Sequence, residues 1–139
     1  MQPPTFSSSL VLRKITTRST FSCLMEHSYW VCKVGAVSNA DFQTPWPKLT
    51  RLTHGLQKSI LANATAIPQM LALLQDASVP SDEQLPQTGI PKEFERALSA
   101  IFVTTPGYGT RACSVVRIGQ QHVEFTEQSM NATGAIGLV

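Results

Sequence analysis

After Thr105 the hydrophobic period changes from that of helices to that of strands, and that change limits the folds open to this chain. From Trp46 onward Leu49, Leu52, Leu56 and Ile60 recur at spacings of three and four, which predicts an amphipathic helix to about Asn63. Pro45 and Pro47 suit its entry, since proline is tolerated in a first turn and not later. A shorter helix is expected after Pro68, around Met70, Leu71, Leu73 and Leu74. Breaker residues then mark Asp76 to Gly89 as a loop. Pro91 opens a third predicted helix, with Phe94, Ala97, Leu98, Ile101 and Phe102 as one apolar stripe packed on a sheet face. After Thr105-Pro106-Gly107 the period becomes that of strands. Thr110–Ile118 and His122–Glu127 are rich in Val, Thr, Ile and Phe, and Gly119-Gln120-Gln121 suits a hairpin connection. Val31–Val37 reads as a further short strand. The expected fold is α+β, a helical layer on one face of an antiparallel sheet.

Length and charge narrow the function. At 139 residues the chain holds one domain's worth of core, and 42% hydrophobic with 14% charged residues fits a packed chain. Charge, Pro or Ser interrupts every apolar run before a membrane-spanning length of roughly 18–20 residues. A net charge of +2 argues against a dedicated nucleic-acid binder. The charge is uneven, however. Residues 1–40 carry Arg13, Lys14, Arg18 and Lys33 against Glu26, while residues 41–139 carry seven basic and eight acidic residues.

The first 25 residues hold nine Ser/Thr, three basic residues and no acid. Leu10-Val11-Leu12 is too short for a secretory signal and precedes the basic cluster. Residues 1–33 are therefore expected to be a poorly ordered leader, residues 34–130 the domain and residues 131–139 a tail. A cytoplasmic location is preferred, with a mitochondrial transit peptide as the alternative. Three separated cysteines, Cys23, Cys32 and Cys113, fit a reducing compartment and no disulfide framework. Their spacing, and three histidines in separate segments, give no metal-binding pattern, so neither a metal nor another cofactor is expected.

Three segments go beyond generic patterning: Ser38-Asn39-Ala40-Asp41-Phe42-Gln43-Thr44-Pro45-Trp46-Pro47-Lys48, Leu85-Pro86-Gln87-Thr88-Gly89-Ile90 with Glu95-Arg96-Ala97-Leu98-Ser99-Ala100-Ile101-Phe102, and Tyr108-Gly109-Thr110-Arg111. In order and spacing they resemble the NRDE family, called transport and Golgi organisation protein 2-like in eukaryotes. The resemblance implies the four-layer αββα sandwich of N-terminal-nucleophile hydrolases, in which a terminal Cys or Ser attacks an amide with its own α-amine as base. It also suggests roles in trafficking or in haem and lipid handling, with a small molecule of unknown identity as partner. This chain begins Met1-Gln2 and contains no Asn-Arg-Asp-Glu. The expectation is a C-terminal half that is not catalytic alone, paired with a missing N-terminal half or with itself. The alternative is a self-sufficient binding or assembly module using an exposed sheet edge.

Within these motifs Asn39 and Arg111 are the candidate site residues, and Ser38, Thr44, Pro45, Trp46, Tyr108, Gly109 and Thr110 accompany them. In the related fold a strand-end asparagine donates to the oxyanion of a tetrahedral intermediate, and Asn39 resembles it; otherwise it closes a turn. Simple alternation places Arg111 with Cys113, Val115 and Arg117, half-buried and in need of an acceptor. An ion pair with Glu124 or Glu127 is preferred there over ligand binding. Arg96 suits a surface pair, and Trp46 a staple at its helix start rather than a stacking platform. Gly107-Tyr108-Gly109-Thr110-Arg111-Ala112 matches the dinucleotide pattern only superficially, because it follows a helix and opens a strand. Asn63-Ala64-Thr65 and Asn131-Ala132-Thr133 match the glycosylation acceptor, without a secretory signal to give them meaning.

Overall fold

The computed structural model describes the backbone of residues 9–16, 20–28, 31–38, 44–118, 121–131 and 134–138, and side chains within 34–131. Its elements are β1 (Ser9–Thr16), β2 (Thr20–Ser28), β3 (Val31–Val37), α1 (Pro47–Leu61), α2 (Ile67–Leu74), α3 (Lys92–Leu98), β4 (Thr104–Thr105), β5 (Tyr108–Ile118), β6 (Val123–Asn131) and β7 (Gly134–Leu138). A short 3₁₀ turn, Asp82–Gln84, interrupts the loop between α2 and α3. The sheet is antiparallel with order β3-β2-β1-β5-β6-β7, and β4 pairs with the start of β5. One neighbour relation is long-range. The β1-β2-β3 meander runs out to one edge, the helices follow, and the chain re-enters as β5 beside β1, with Leu12 opposite Val115.

The helices lie on one sheet face because their apolar stripes have nowhere else to be buried. Leu49, Leu52 and Leu56 of α1 and Met70, Leu71 and Leu74 of α2 pack with Ala36 of β3, Cys113 and Val115 of β5, Ile101 and Met130. Each such side chain is worth about 1.5–3 kcal/mol on removal from water. Helix α1 starts as its prolines predict, with Pro47 in the first turn and the Trp46 carbonyl accepting from the N–H groups of Leu49 (2.9 Å) and Thr50 (3.0 Å). It ends at Asn63, whose φ of +52° is the left-handed conformation that Asn tolerates, and the Ala64 N–H then donates back to the Ser59 carbonyl at 2.8 Å.

Strands also occupy both ends of the chain, and one expectation, on the third helix, needs correction. Residues 9–28 hold β1 and β2, and β1 lies between β2 and β5. Strand β2 pairs with its chain neighbours β1 and β3, but the second partner of β1 is β5, about a hundred residues away, which no local period reveals. Gly134–Leu138 form β7, paired with β6. The correction concerns the stripe on the third helix. Helix α3 stops at Leu98, where the Ser99 hydroxyl donates to the Glu95 carbonyl at 2.6 Å. Beyond it the helical register no longer applies, so Ile101 is 2% exposed in the following bend while Phe94 is 62% exposed. The buried side chain of α3 is Glu95.

Behind α2 a polar clasp ties the helices together. The Asp76 carboxylate accepts from the Ser78 N–H (2.8 Å), the Ser78 hydroxyl and Arg51 Nε of α1 (3.2 Å), and Arg51 Nη2 donates to the Ser78 carbonyl at 2.6 Å. Burial by itself would raise the Asp76 pKa, but the Ser78 donors and the Arg51 charge outweigh it and hold the carboxyl below its ordinary 3.8.

Two outcomes follow. Leu52→Ala should cost about 2–5 kcal/mol in urea unfolding, whereas Phe94→Ala should stay within about 0.5 kcal/mol. Because the folded Asp76 titrates below its unfolded value, its contribution is complete above pH 3.8 and is lost as pH falls through the folded pKa. Asp76→Asn should therefore lose less stability than the wild type between about pH 5 and about pH 3.

Candidate functional site

The Tyr108-Gly109-Thr110-Arg111 motif opens β5, and it sits where that strand leaves its neighbour. Strands β5 and β6 are in register from Ile118↔Val123 to Ala112↔Ser129, and no further. Before Ala112 the start of β5 pairs with β4 instead, Thr104 opposite Gly109 and Thr105 opposite Tyr108. Past Ser129, Met130 and Asn131 pair with β7. The parting strands leave a cleft of about 530 Å³, lined by Val103–Arg111 together with Met130 and Asn131.

Local chemistry fixes this hairpin. Pro106 and Gly107 form its two-residue connection, with Gly107 at φ +75°, as a turn with Pro first and Gly second requires. The Thr105 hydroxyl donates to the Tyr108 carbonyl at 2.6 Å. The Thr110 N–H donates to the Val103 carbonyl at 2.8 Å, and the Thr110 hydroxyl accepts from the Val103 N–H at 2.9 Å. Gly109 is required by close approach, since a Cβ there would lie 2.9 Å from the Val103 carbonyl oxygen.

Arg111 departs from simple alternation. Across β1 the register runs Ile15↔Ala112 and then Thr16↔Thr110, so Arg111 is the extra residue of a bulge. A bulge re-aims one side chain. Arg111 is accordingly exposed at the cleft, between buried Thr110 and Ala112, rather than half-buried with Cys113 and Val115. The ion pair expected for it is made by Arg117 instead, with Glu124 at 3.4 Å; Arg117 also donates to the Thr65 carbonyl. Glu127 accepts from the Ser114 hydroxyl at 2.8 Å. Arg96 pairs as expected at the surface, gripping Asp82 through Nε (3.0 Å) and Nη2 (2.7 Å), and Lys92 joins at 3.0 Å. These donors hold the Asp82 carboxyl below its usual range.

The second motif segment is split from the first. Asn39 lies outside the described residues. Ser38 is buried at the end of β3. Val37 lies in one row with Ser22, Arg13 and Ser114, roughly 14 Å across the sheet from Ser114, and Tyr108–Arg111 lie further along β5 in the direction in which β3 ends. Thr44 and Pro45 border a different groove, of about 300 Å³, between the edge strand β3 and α1. Trp46 packs against the core as the staple reading expects.

What the motifs share is a buried polar junction that the sequence reading missed. Lys48 Nζ lies 5.1 Å from the Trp46 ring centroid and donates to the Leu98 carbonyl at 3.1 Å. Glu95 accepts from the Thr88 N–H at 2.6 Å and from the Thr88 hydroxyl. Burial pushes the Lys48 pKa below its ordinary 10.5, and the Glu95 charge offsets part of that. Thus the Pro-Trp-Pro-Lys, Leu-Pro-Gln-Thr-Gly and Glu-Arg-Ala-Leu-Ser segments meet in one place. The signal was available as a Glu facing inward on a short helix, obscured by reading Phe94 as its apolar face.

Chemically, Cys113 is 0% exposed beneath the helices, a packing residue and not a reachable nucleophile. Among the described residues no three His, Cys, Asp or Glu side chains cluster as metal ligands, and no helix is long and apolar enough to cross a membrane. The cleft offers one guanidinium, several hydroxyls and an amide, which suits binding. Gly109→Ala should destabilise the chain by about 1–3 kcal/mol through its forced contact with Val103, read as a lower urea midpoint at unchanged slope.

No match was found among curated proteins. Comparison with protein families does give one, over residues 7–132, with the family described as Transport and Golgi organisation 2. The match takes in β1 and β2 as well as the helices, the hairpin and every motif segment, so the chain belongs to the Transport and Golgi organisation 2 family.

Proposed function

We propose that these residues act as a binding and assembly layer of their family, one helix-covered sheet of an αββα sandwich, and do not hydrolyse amides by themselves. The observation that carries this reading is an exposed apolar patch at one end of the sheet face away from the helices. Val116 pairs with Phe125 and Ile118 with Val123, on the side opposite Cys113 and Val115. There Ile118 is 41%, Val123 66% and Phe125 56% exposed, adjacent to one another. Scattered exposed apolar residues are ordinary, but a contiguous cluster on a flat sheet marks a surface built to be covered. A second sheet stacked about 10 Å away would cover it. Asn39, read as an oxyanion donor, would act only on a nucleophile brought by whatever covers that face.

A panel of amide substrates assayed with the wild type and with Asn39→Ala tests the catalytic half. Neither should exceed the uncatalysed rate, and wild-type turnover that disappears in Asn39→Ala would overturn the reading. Sedimentation tests the assembly half: the wild type should associate in solution and Phe125→Asp should not. Equal association of the two would show that the face is not the interface.

A further inference from the structure

We propose that the cleft between the parted β5 and β6 binds a small organic anion, with Arg111 gripping its carboxylate or phosphate head. Four arginines have described side chains, and three of them are neutralised by carboxylates: Arg51 by Asp76, Arg96 by Asp82 and Arg117 by Glu124. Arg111 makes no ion pair or hydrogen bond with any described residue, and it lies just before the point where β5 begins to pair with β6. The bulge against β1 is what turns it out of the sheet and into the cleft. Among the described lining residues Arg111 is the only charged one.

Size and walls define the rest of the ligand. At about 530 Å³ the cleft is in the range of small-molecule sites of roughly 300–1,000 Å³ and too large for a bare inorganic ion. Val103, Pro106, Tyr108 and Met130 supply apolar wall, and Thr104 and Asn131 supply polar rim. An apolar or aromatic body with one anionic head matches both features. Guanidinium meets a carboxylate or a phosphate equally well through two parallel hydrogen bonds. The inference does not depend on what covers the open sheet face, which the cleft residues do not include.

The test uses the full chain with phenylacetate, phenyl phosphate and the neutral phenylacetamide, read by calorimetry and by amide chemical shifts. One or both anions should bind and shift Gly107, Gly109 and Asn131, and phenylacetamide should not. Binding of one anion without the other supports the site and names its head group. Arg111→Gln should weaken binding at least about tenfold, with Arg111→Lys intermediate. The ligand-free melting temperature should be unchanged in both variants, because Arg111 is exposed. Equal binding of phenylacetamide, unchanged affinity in Arg111→Gln, or no binding of either anion at millimolar concentration would overturn the proposal.

Discussion

Pairing between β1 and β5 is the constraint on which the rest of the molecule depends. It welds the β1-β2-β3 meander to the β5-β6-β7 meander and gives a single sheet broad enough for α1 and α2 to lie on. Without it Cys113 and Val115 would have no sheet neighbour on that side, and the floor beneath the leucines of both helices would be divided between two separate sheets. The strands joined are about a hundred residues apart in the chain, so the loop entropy of bringing them together must be offset by the whole buried cluster. Core and topology therefore form together.

The same pairing creates the site. A bulge in β5 is tolerated because β1 holds the strand on both sides of it, and its consequence is one arginine set apart from the alternation. On its other side β5 abandons β6 at Ala112, since its first residues are held by β4 through the Thr110–Val103 hydrogen bonds. The cleft is thus the gap left when a strand has two competing neighbours and satisfies each over part of its length. Unpaired backbone is costly to bury, so such a gap stays open to solvent or to a ligand.

Several motif residues have a plainer role. Lys48, Glu95, Thr88 and Leu98 join the start of α1 to α3 and to the loop before it, and each polar atom finds a partner. Burying a charge is unfavourable unless it is hydrogen-bonded, which limits the choice of residues at such a junction. Residue identity here is dictated by satisfaction of buried groups, and the site lies elsewhere, at Tyr108–Arg111.

Much of the fold is legible in the sequence. Helical spacing, prolines at helix starts and the switch to alternation locate α1, α2, the start of α3, β3, β5 and β6, because these depend on residues close together in the chain. The hydroxyl-rich residues 9–28, the inward side of α3 and the outward turn of Arg111 are not legible in this way. Strand β1 is a strand because β5 lies beside it, Glu95 is inside because Thr88 meets it there, and Arg111 leaves the sheet because β1 is one residue short opposite it. The sequence alone determined the local elements and the family. Tertiary pairing decided which residues face the core and where a cleft opens, because burial and register depend on partners far away in the chain.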